Sequence, residues 1–313
     1  MQKPDSPKLP PGVVLPVGIL AVSTASILIR YAQMYASSLT IAAFRLTLAA
    51  LIIFPYVLIR HRRELRAVDR KDLRLALFSG SLLAVHFASW ISSLAFTTVA
   101  SSVVLVTTTP IWVGILGPVF LGERASSKHF WGMSFALLGG IIIGVTDSCW
   151  ASSQGFSCPG LWEPGVNRAL WGDFLALLGA LAGAGYLMVG RYLRQRQSLS
   201  TYIFLVYGMA AVILVLVMLA VDGLPVGYPV RVYGWFVLLA VVPQLMGHTI
   251  FNWALKYLST ALVSISLLGE PVGSTLLAAL LLGETPSYLK IFGAILILAG
   301  ILTATVNRKS FPD

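Results

Sequence analysis

A single carboxylate, Glu270, stands in the stretch LLGEPVG, and it is the only ionisable group between Ser259 and Leu282. Ser266 and Ser274 lie four residues before and after it, so on a helix the three share one narrow polar stripe. A lone carboxyl among hydroxyls can take up a proton or a cation and release it as its surroundings open to water. It can equally stay a neutral acid, hydrogen-bonded between helices. Pro271 has no N–H and its ring crowds the preceding turn, so the Leu267 carbonyl loses its helical partner close to Glu270.

Other polar side chains recur at helical spacing. His86 and Trp90 are four apart with Ser93 near the same face, and Gln244, His248 and Asn252 repeat every four residues. Thr108 and Trp112 are also four apart, beside Thr109, and Ser23 precedes Ser26 by three. His86 suits either a proton carrier or a donor to a neighbouring carbonyl. Trp90 suits either stacking on a planar or cationic substrate or plain packing. His248 sits nearer the end of its apolar run, where it suits a gate or an interface. No HExxH, GxSxG or P-loop pattern occurs, and no cysteine lies within an apolar run. Accordingly no catalytic residue, metal or cofactor is assigned, and the chain is not read as an enzyme.

The elements that must position these residues follow from composition. Hydrophobic residues make up 57% and charged residues 11%, with mean hydropathy +0.85; a soluble domain carries about 25% charged residues. Ten apolar runs cover 12–33, 38–59, 75–96, 99–121, 128–147, 170–190, 200–221, 231–252, 259–282 and 287–306. Each approaches the ~20 residues that cross hydrocarbon, so the expectation is an all-α membrane protein of ten transmembrane helices. Glu270 then lies roughly 17 Å from either end of its helix, where a charge costs about 2.5–3.5 kcal/mol or more. Arg45 lies about 10 Å inside its own run, and is expected to bond helix-end carbonyls or a carboxylate of the bundle.

The net charge of +10 is informative through its distribution. With the N-terminus inside, seventeen Lys and Arg fall on the cytoplasmic side and four outside, while Arg45 lies within a span. This asymmetry puts both termini in the cytoplasm. The run RHRRELRAVDRKDLR, residues 60–74, reads as a topology signal facing anionic lipid. No aromatic residue interleaves its charges, which argues against nucleic acid as a partner. Cys149 and Cys158 share the long outer segment 148–169; the pair suits a small disulfide-closed loop on an oxidising face, or two free thiols.

Shifting the sequence by 161 residues aligns Arg30-Tyr31 with Arg191-Tyr192, Pro110 with Pro271, Leu121-Gly122-Glu123 with Leu282-Gly283-Glu284, Gly132 with Gly293 and Gly139 with Gly300. The chain therefore divides into 1–147, a connecting segment 148–169, and 170–313. Five is an odd number of spans, so the second half enters the membrane from the other side. Such inverted repeats recur in secondary transporters, with the site near the midplane between repeats. Gly179 with Gly183, and Gly140 with Gly144, have the spacing that lets helices approach closely.

The stretches TTTPIWVGILGPVFLGE and LLGEPVGSTLLAALLLGE, together with Arg45, resemble the drug/metabolite transporter superfamily, EamA type, over nearly the whole chain. The resemblance implies a secondary transporter moving small metabolites, amino acids or related compounds, with export favoured and proton coupling open. Multidrug or organic-cation export and uncoupled facilitation are the alternatives; a channel or an intramembrane enzyme is more remote. Expected partners are a small-molecule substrate, the lipid bilayer and protons. The resemblance also implies that His86, Trp90, Thr108 and Glu270 line one central cavity. Glu123 and Glu284, which close the fourth and ninth spans, are expected to terminate helices and bond between them.

Overall fold

The computed structural model describes residues 7, 9–97, 99–122, 126–148, 150–152, 155–157, 166–282 and 287–305. Cys149, Cys158, Glu123 and Glu284 lie outside the described residues. Helices dominate, in the order α1 (Pro11–Ser23), α2 (Ala25–Gln33), α3 (Ser38–Arg60), α4 (Arg62–Ala67), α5 (Arg70–Phe96), α6 (Val99–Val106), α7 (Thr109–Phe120) and α8 (Ser127–Ser148). A short hairpin follows, β1 (Trp150–Ser152) antiparallel to β2 (Gly155–Ser157), a departure from the all-helical expectation inside the connecting segment. Then come α9 (Val166–Arg194), α10 (Leu199–Val221), α11 (Val230–Leu239), a π-helical segment (Ala240–His248), α12 (Thr249–Ala254), α13 (Thr260–Leu267), α14 (Glu270–Leu282) and α15 (Tyr288–Thr305).

Local chemistry sets the ends. Ser37 accepts the Thr40 amide at 3.1 Å to open α3, and Ser198 accepts the Thr201 amide at 3.3 Å to open α10. The 161-residue shift maps one cap onto the other. Asp69 accepts the Asp72 amide at 2.7 Å, which starts α5 at Arg70, a turn before its apolar run. Among the described residues, seven helical stretches are long and apolar enough to cross a membrane: Pro11–Gln33, Ser38–Arg60, Arg70–Phe96, Ser102–Phe120, Arg168–Arg194, Leu199–Val221 and Val230–Ala254.

Four stretches are interrupted in their middles. The break between α1 and α2 falls at Thr24, whose hydroxyl donates to the Ala21 carbonyl at 2.8 Å. The break between α6 and α7 falls at Thr107–Thr108, and that between α13 and α14 at Leu268–Gly269, each just before a proline. Tightened turns close both ends: Thr108 N–H donates to Leu105 at 3.2 Å, and Leu268 and Gly269 N–H donate to Ile265 and Ser266 at 3.0 and 3.1 Å. The fourth irregularity is the π segment, which contains Pro243. Wide turns of this kind are frequent at functional sites.

Long antiparallel contacts tie the elements together: α5 along α9, α8 along α15, and α3 along α10. In the seam between α8 and α15, a Cβ added at Gly132 would stand 2.6 Å from the Gly300 carbonyl, and one at Gly139 2.4 Å from that of Gly293. Both pairs are related by the sequence shift, so the repeat meets itself there backbone to backbone. Gly179 and Gly183 also sit under close approach, against Trp90 and His86 of α5. Gly140 does not: a Cβ there would have nothing within 4 Å.

The ends of the α3–α10 pair are clasped by polar contacts. At one end Ser37 bonds Asp222, which also accepts from Thr40 at 3.4 Å. At the other, Glu64 accepts the Ser198 amide at 2.6 Å and contacts His61 at 2.9 Å, while Arg196 pairs with Asp72 at 2.8 Å. Burial of Glu64 works to raise its pKa, but the bonds from Ser198 and His61 prevail and hold it below the ordinary carboxylate value.

Candidate functional site

The interrupted helices and the buried charges meet in the same region. Arg45 of α3 is fully buried at 0% exposure. Its Nε donates to Gln244 Oε1 of the π segment at 2.9 Å, and its guanidinium lies 4.1 Å above the Phe87 ring of α5. The expected bonds to helix-end carbonyls are not made. At the breaks the Leu105, Ile265 and Ser266 carbonyls accept from tightened turns of their own chain, and Nη1 and Nη2 of Arg45 have no partner among the described residues.

Glu270 is the first residue of α14, where the N-terminal end of a helix favours negative charge. It is 7% exposed, its Oε1 is buried without a donor among the described residues, and it lies within electrostatic reach of Arg45 without touching it. The 161-residue shift pairs it with Thr109, the first residue of α7. The Ser23 hydroxyl, shared between the Ile19 carbonyl at 2.7 Å and the Glu270 backbone carbonyl at 3.2 Å, and Ser274 Oγ, which donates to the Ser23 carbonyl at 3.2 Å, stitch the break in α1–α2 to α14. Gly273 permits this: a Cβ there would meet Ser23 Oγ at 2.1 Å.

Aromatic rings wall the charges. His86 stacks with Trp90 at 6.1 Å between centroids and lies 6.3 Å from His248. His248 in turn packs edge-on against Phe87 at 5.1 Å. The sequence alone placed His248 toward a helix end; the kinked eighth stretch instead brings its ring to the cluster. His86 Nδ1 bonds the Gly179 carbonyl at 2.8 Å, the carbonyl-bonded alternative of the two read from sequence. The indole N–H groups of Trp90 and Trp112 are buried without an acceptor.

Several other candidates have their side chains committed. Asn252 receives the Tyr186 hydroxyl at 2.7 Å and donates to Tyr207 at 3.1 Å, so both ends of its amide are used. The Thr108, Thr109 and Ser266 hydroxyls donate to carbonyls within their own stretches, at 2.6, 2.9 and 2.9 Å. Pro110 and Pro271 sit one residue inside α7 and α14, where a missing N–H is harmless, and so mark the breaks. Sequence reasoning did not find the Arg45–Gln244 bond or the Phe87 shelf. The only available signal was a buried arginine that needed an acceptor.

Comparison with known proteins agrees with this architecture. A model of the EamA-like transporter family matches residues 13–145 and again 170–306. The pseudopaline exporter CntI of Pseudomonas aeruginosa is 25% identical over 302 residues, covering 95% of this chain and 97% of that one. The uncharacterized transporter YyaM of Bacillus subtilis is 23% identical over 281 residues, 89% of this chain and 88% of its own. One solved crystal structure superposes with a TM-score of 0.72 at 19% identity, over 94% of this chain and 96% of that one.

Proposed function

This chain belongs to the EamA-like transporter family, and from that premise we propose that it moves a small metabolite, an amino acid or related compound, outward across the cytoplasmic membrane by alternating access. The observation that carries the reading is the Arg45–Gln244 bond beside Glu270: desolvated polar groups where the helices are broken. Irregular backbone and charge at membrane depth are tolerated where they line a pathway. The two matched segments act as two five-span halves, 1–147 and 170–313, joined by 148–169. Ten spans put both termini in the cytoplasm, in line with the lysine and arginine asymmetry. Similarity to an exporter supports the outward direction. Transmembrane gradients supply the energy, and Glu270 is the group that exchanges protons with the substrate's passage.

The test is uptake of a mixed pool of amino acids, nucleosides and organic cations into proteoliposomes, with and without an imposed pH gradient, read by mass spectrometry. Accumulation of one compound only under the gradient, abolished by Glu270→Gln in folded protein, is the expected result. Equilibration regardless of the gradient would make the protein an uncoupled facilitator. Linear, current-carrying flux would make it a channel.

A further inference from the structure

Resting on the transport reading above, we propose that Arg45 and Glu270 form the two ends of the substrate site, Arg45 receiving a carboxylate of the transported molecule and Glu270 its ammonium group. A guanidinium has five N–H donors in a fixed fork. In this protein Nε–H is taken by Gln244 and one face by Phe87, and the four donors on Nη1 and Nη2 have no acceptor among the described residues although Arg45 is fully buried. The protein therefore fixes the plane of the guanidinium and leaves its forked end unused. That end matches a carboxylate with two parallel hydrogen bonds, a geometry that lysine does not reproduce.

A purely structural arginine would spend its Nη groups on the carbonyls freed by the helix breaks. Beside the breaks, Leu105 accepts Thr108 N–H, Val106 the Thr109 hydroxyl and Ser266 Gly269 N–H, and Nη1 and Nη2 of Arg45 reach neither these nor the Leu267 carbonyl freed by Pro271. The opposite charge, Glu270, is close enough to act on Arg45 electrostatically, but the two are not bonded and Glu270 Oε1 also lacks a partner. Each charge comes from a different half of the chain, and a buried polar atom without a partner is rare enough to require a reason. Two opposite charges held apart are complemented by a molecule with its own two charges in the reverse order. An organic cation would leave the Arg45 donors unmet, and a simple anion would leave Glu270 unmet. Trp90, stacked with His86 beside Phe87, gives the side chain of such a molecule an aromatic wall.

The experiment uses the purified full chain in detergent, with the melting midpoint as readout. The probes are the twenty common L-amino acids, each with its methyl ester and its N-acetyl derivative. At least one amino acid is expected to stabilise the protein, with ester and N-acetyl forms each about 10- to 100-fold weaker, the effect of losing a hydrogen bond to a charged group. Arg45→Gln should erase the difference between acid and ester while keeping that between amine and N-acetyl; Glu270→Gln should do the reverse. A structural role would weaken every probe alike. If Arg45→Gln does not fold, the acid–ester comparison in the unaltered protein decides. Equal binding of acid and ester, or no binding by any amino acid, overturns the proposal. Proteoliposomes that carry cations or neutral compounds but no zwitterion overturn it while leaving transport intact; liposomes that carry nothing overturn both.

Discussion

Two adjacent glycines of α8 should respond oppositely to the same substitution. A Cβ at Gly139 would stand 2.4 Å from the Gly293 carbonyl and 2.9 Å from the Ile297 amide nitrogen, whereas one at Gly140 has nothing within 4 Å. Ordinary contact begins near 3.4 Å, so Gly139→Ala must part α8 from α15 by about 1 Å. Overpacking of this kind costs about 1–3 kcal/mol. Replacing glycine by alanine inside a helix also gains about 0.5–1 kcal/mol. That gain is common to both variants, so their difference isolates the clash. At about 2–4 °C per kcal/mol for a large chain, the melting midpoint of Gly139→Ala should lie about 2–12 °C below that of Gly140→Ala. Heating detergent-solubilised protein and following the monodisperse peak by size exclusion measures this. Equal midpoints, or the reverse order, would refute the close seam between the two halves.

Three further expectations can be checked, two of them by the same melting measurement. Asn252→Ala removes the acceptor of the Tyr186 hydroxyl and leaves the Tyr207 hydroxyl only Thr249, at 3.3 Å, and should cost about 1–3 kcal/mol for the one group left without its partner, read as a lower melting midpoint; the KM for whichever compound the proteoliposomes carry should be unchanged. The depressed pKa of Glu64 means that its contribution to stability is present above the ordinary value of 4.5 and is lost as pH falls through the folded value. Glu64→Gln should therefore be less stable at neutral pH and flatter in its decline on acidification; a parallel decline would contradict the clasp on Ser198. In a background with Cys149 and Cys158 replaced by serine, a cysteine at Val226 should react with an impermeant maleimide from outside intact cells and one at Arg66 should not; the reverse labelling would invert the topology.

Much of the scaffold was legible because its causes are local. Apolar runs set the long stretches, Ser37, Asp69, Ser198 and Ser259 cap helices within three residues of themselves, and the prolines announced the breaks in the fourth and ninth stretches. The 161-residue shift foretold that Gly132 and Gly139 match Gly293 and Gly300, though not that each faces the other's partner across the seam. That last step depends on the antiparallel crossing of α8 and α15, which no spacing encodes. The fate of polar side chains was the least legible. Asn252 looks like a site residue from its stripe, and only the approach of Tyr186 and Tyr207, 66 and 45 residues away, consumes it.

Arg45 shows the converse. Its sequence position fixed that it was buried and in need of an acceptor, but the acceptor lies 199 residues away on a segment whose turns are wider than α-helical. In a regular α-helix Pro243 would remove one internal hydrogen bond and crowd the turn before it; in the π turns of Ala240–His248, Gln244 meets Arg45 of α3 and His248 meets Phe87 of α5. The same logic holds at Leu268–Gly269, where the break places Glu270 at the start of a new helix instead of in the middle of an old one. A carboxylate is better tolerated there, since the unmet amides of the first turn lend it partial positive charge. The helix breaks and the buried charges are therefore one feature of the fold, because each makes the other tolerable at that depth. Straightening the ninth stretch should accordingly remove support for the ionised form of Glu270. Pro271→Ala restores a full set of N–H donors, and it is expected to weaken transport more than it weakens the melting midpoint; loss of both in proportion would show the break to be packing alone.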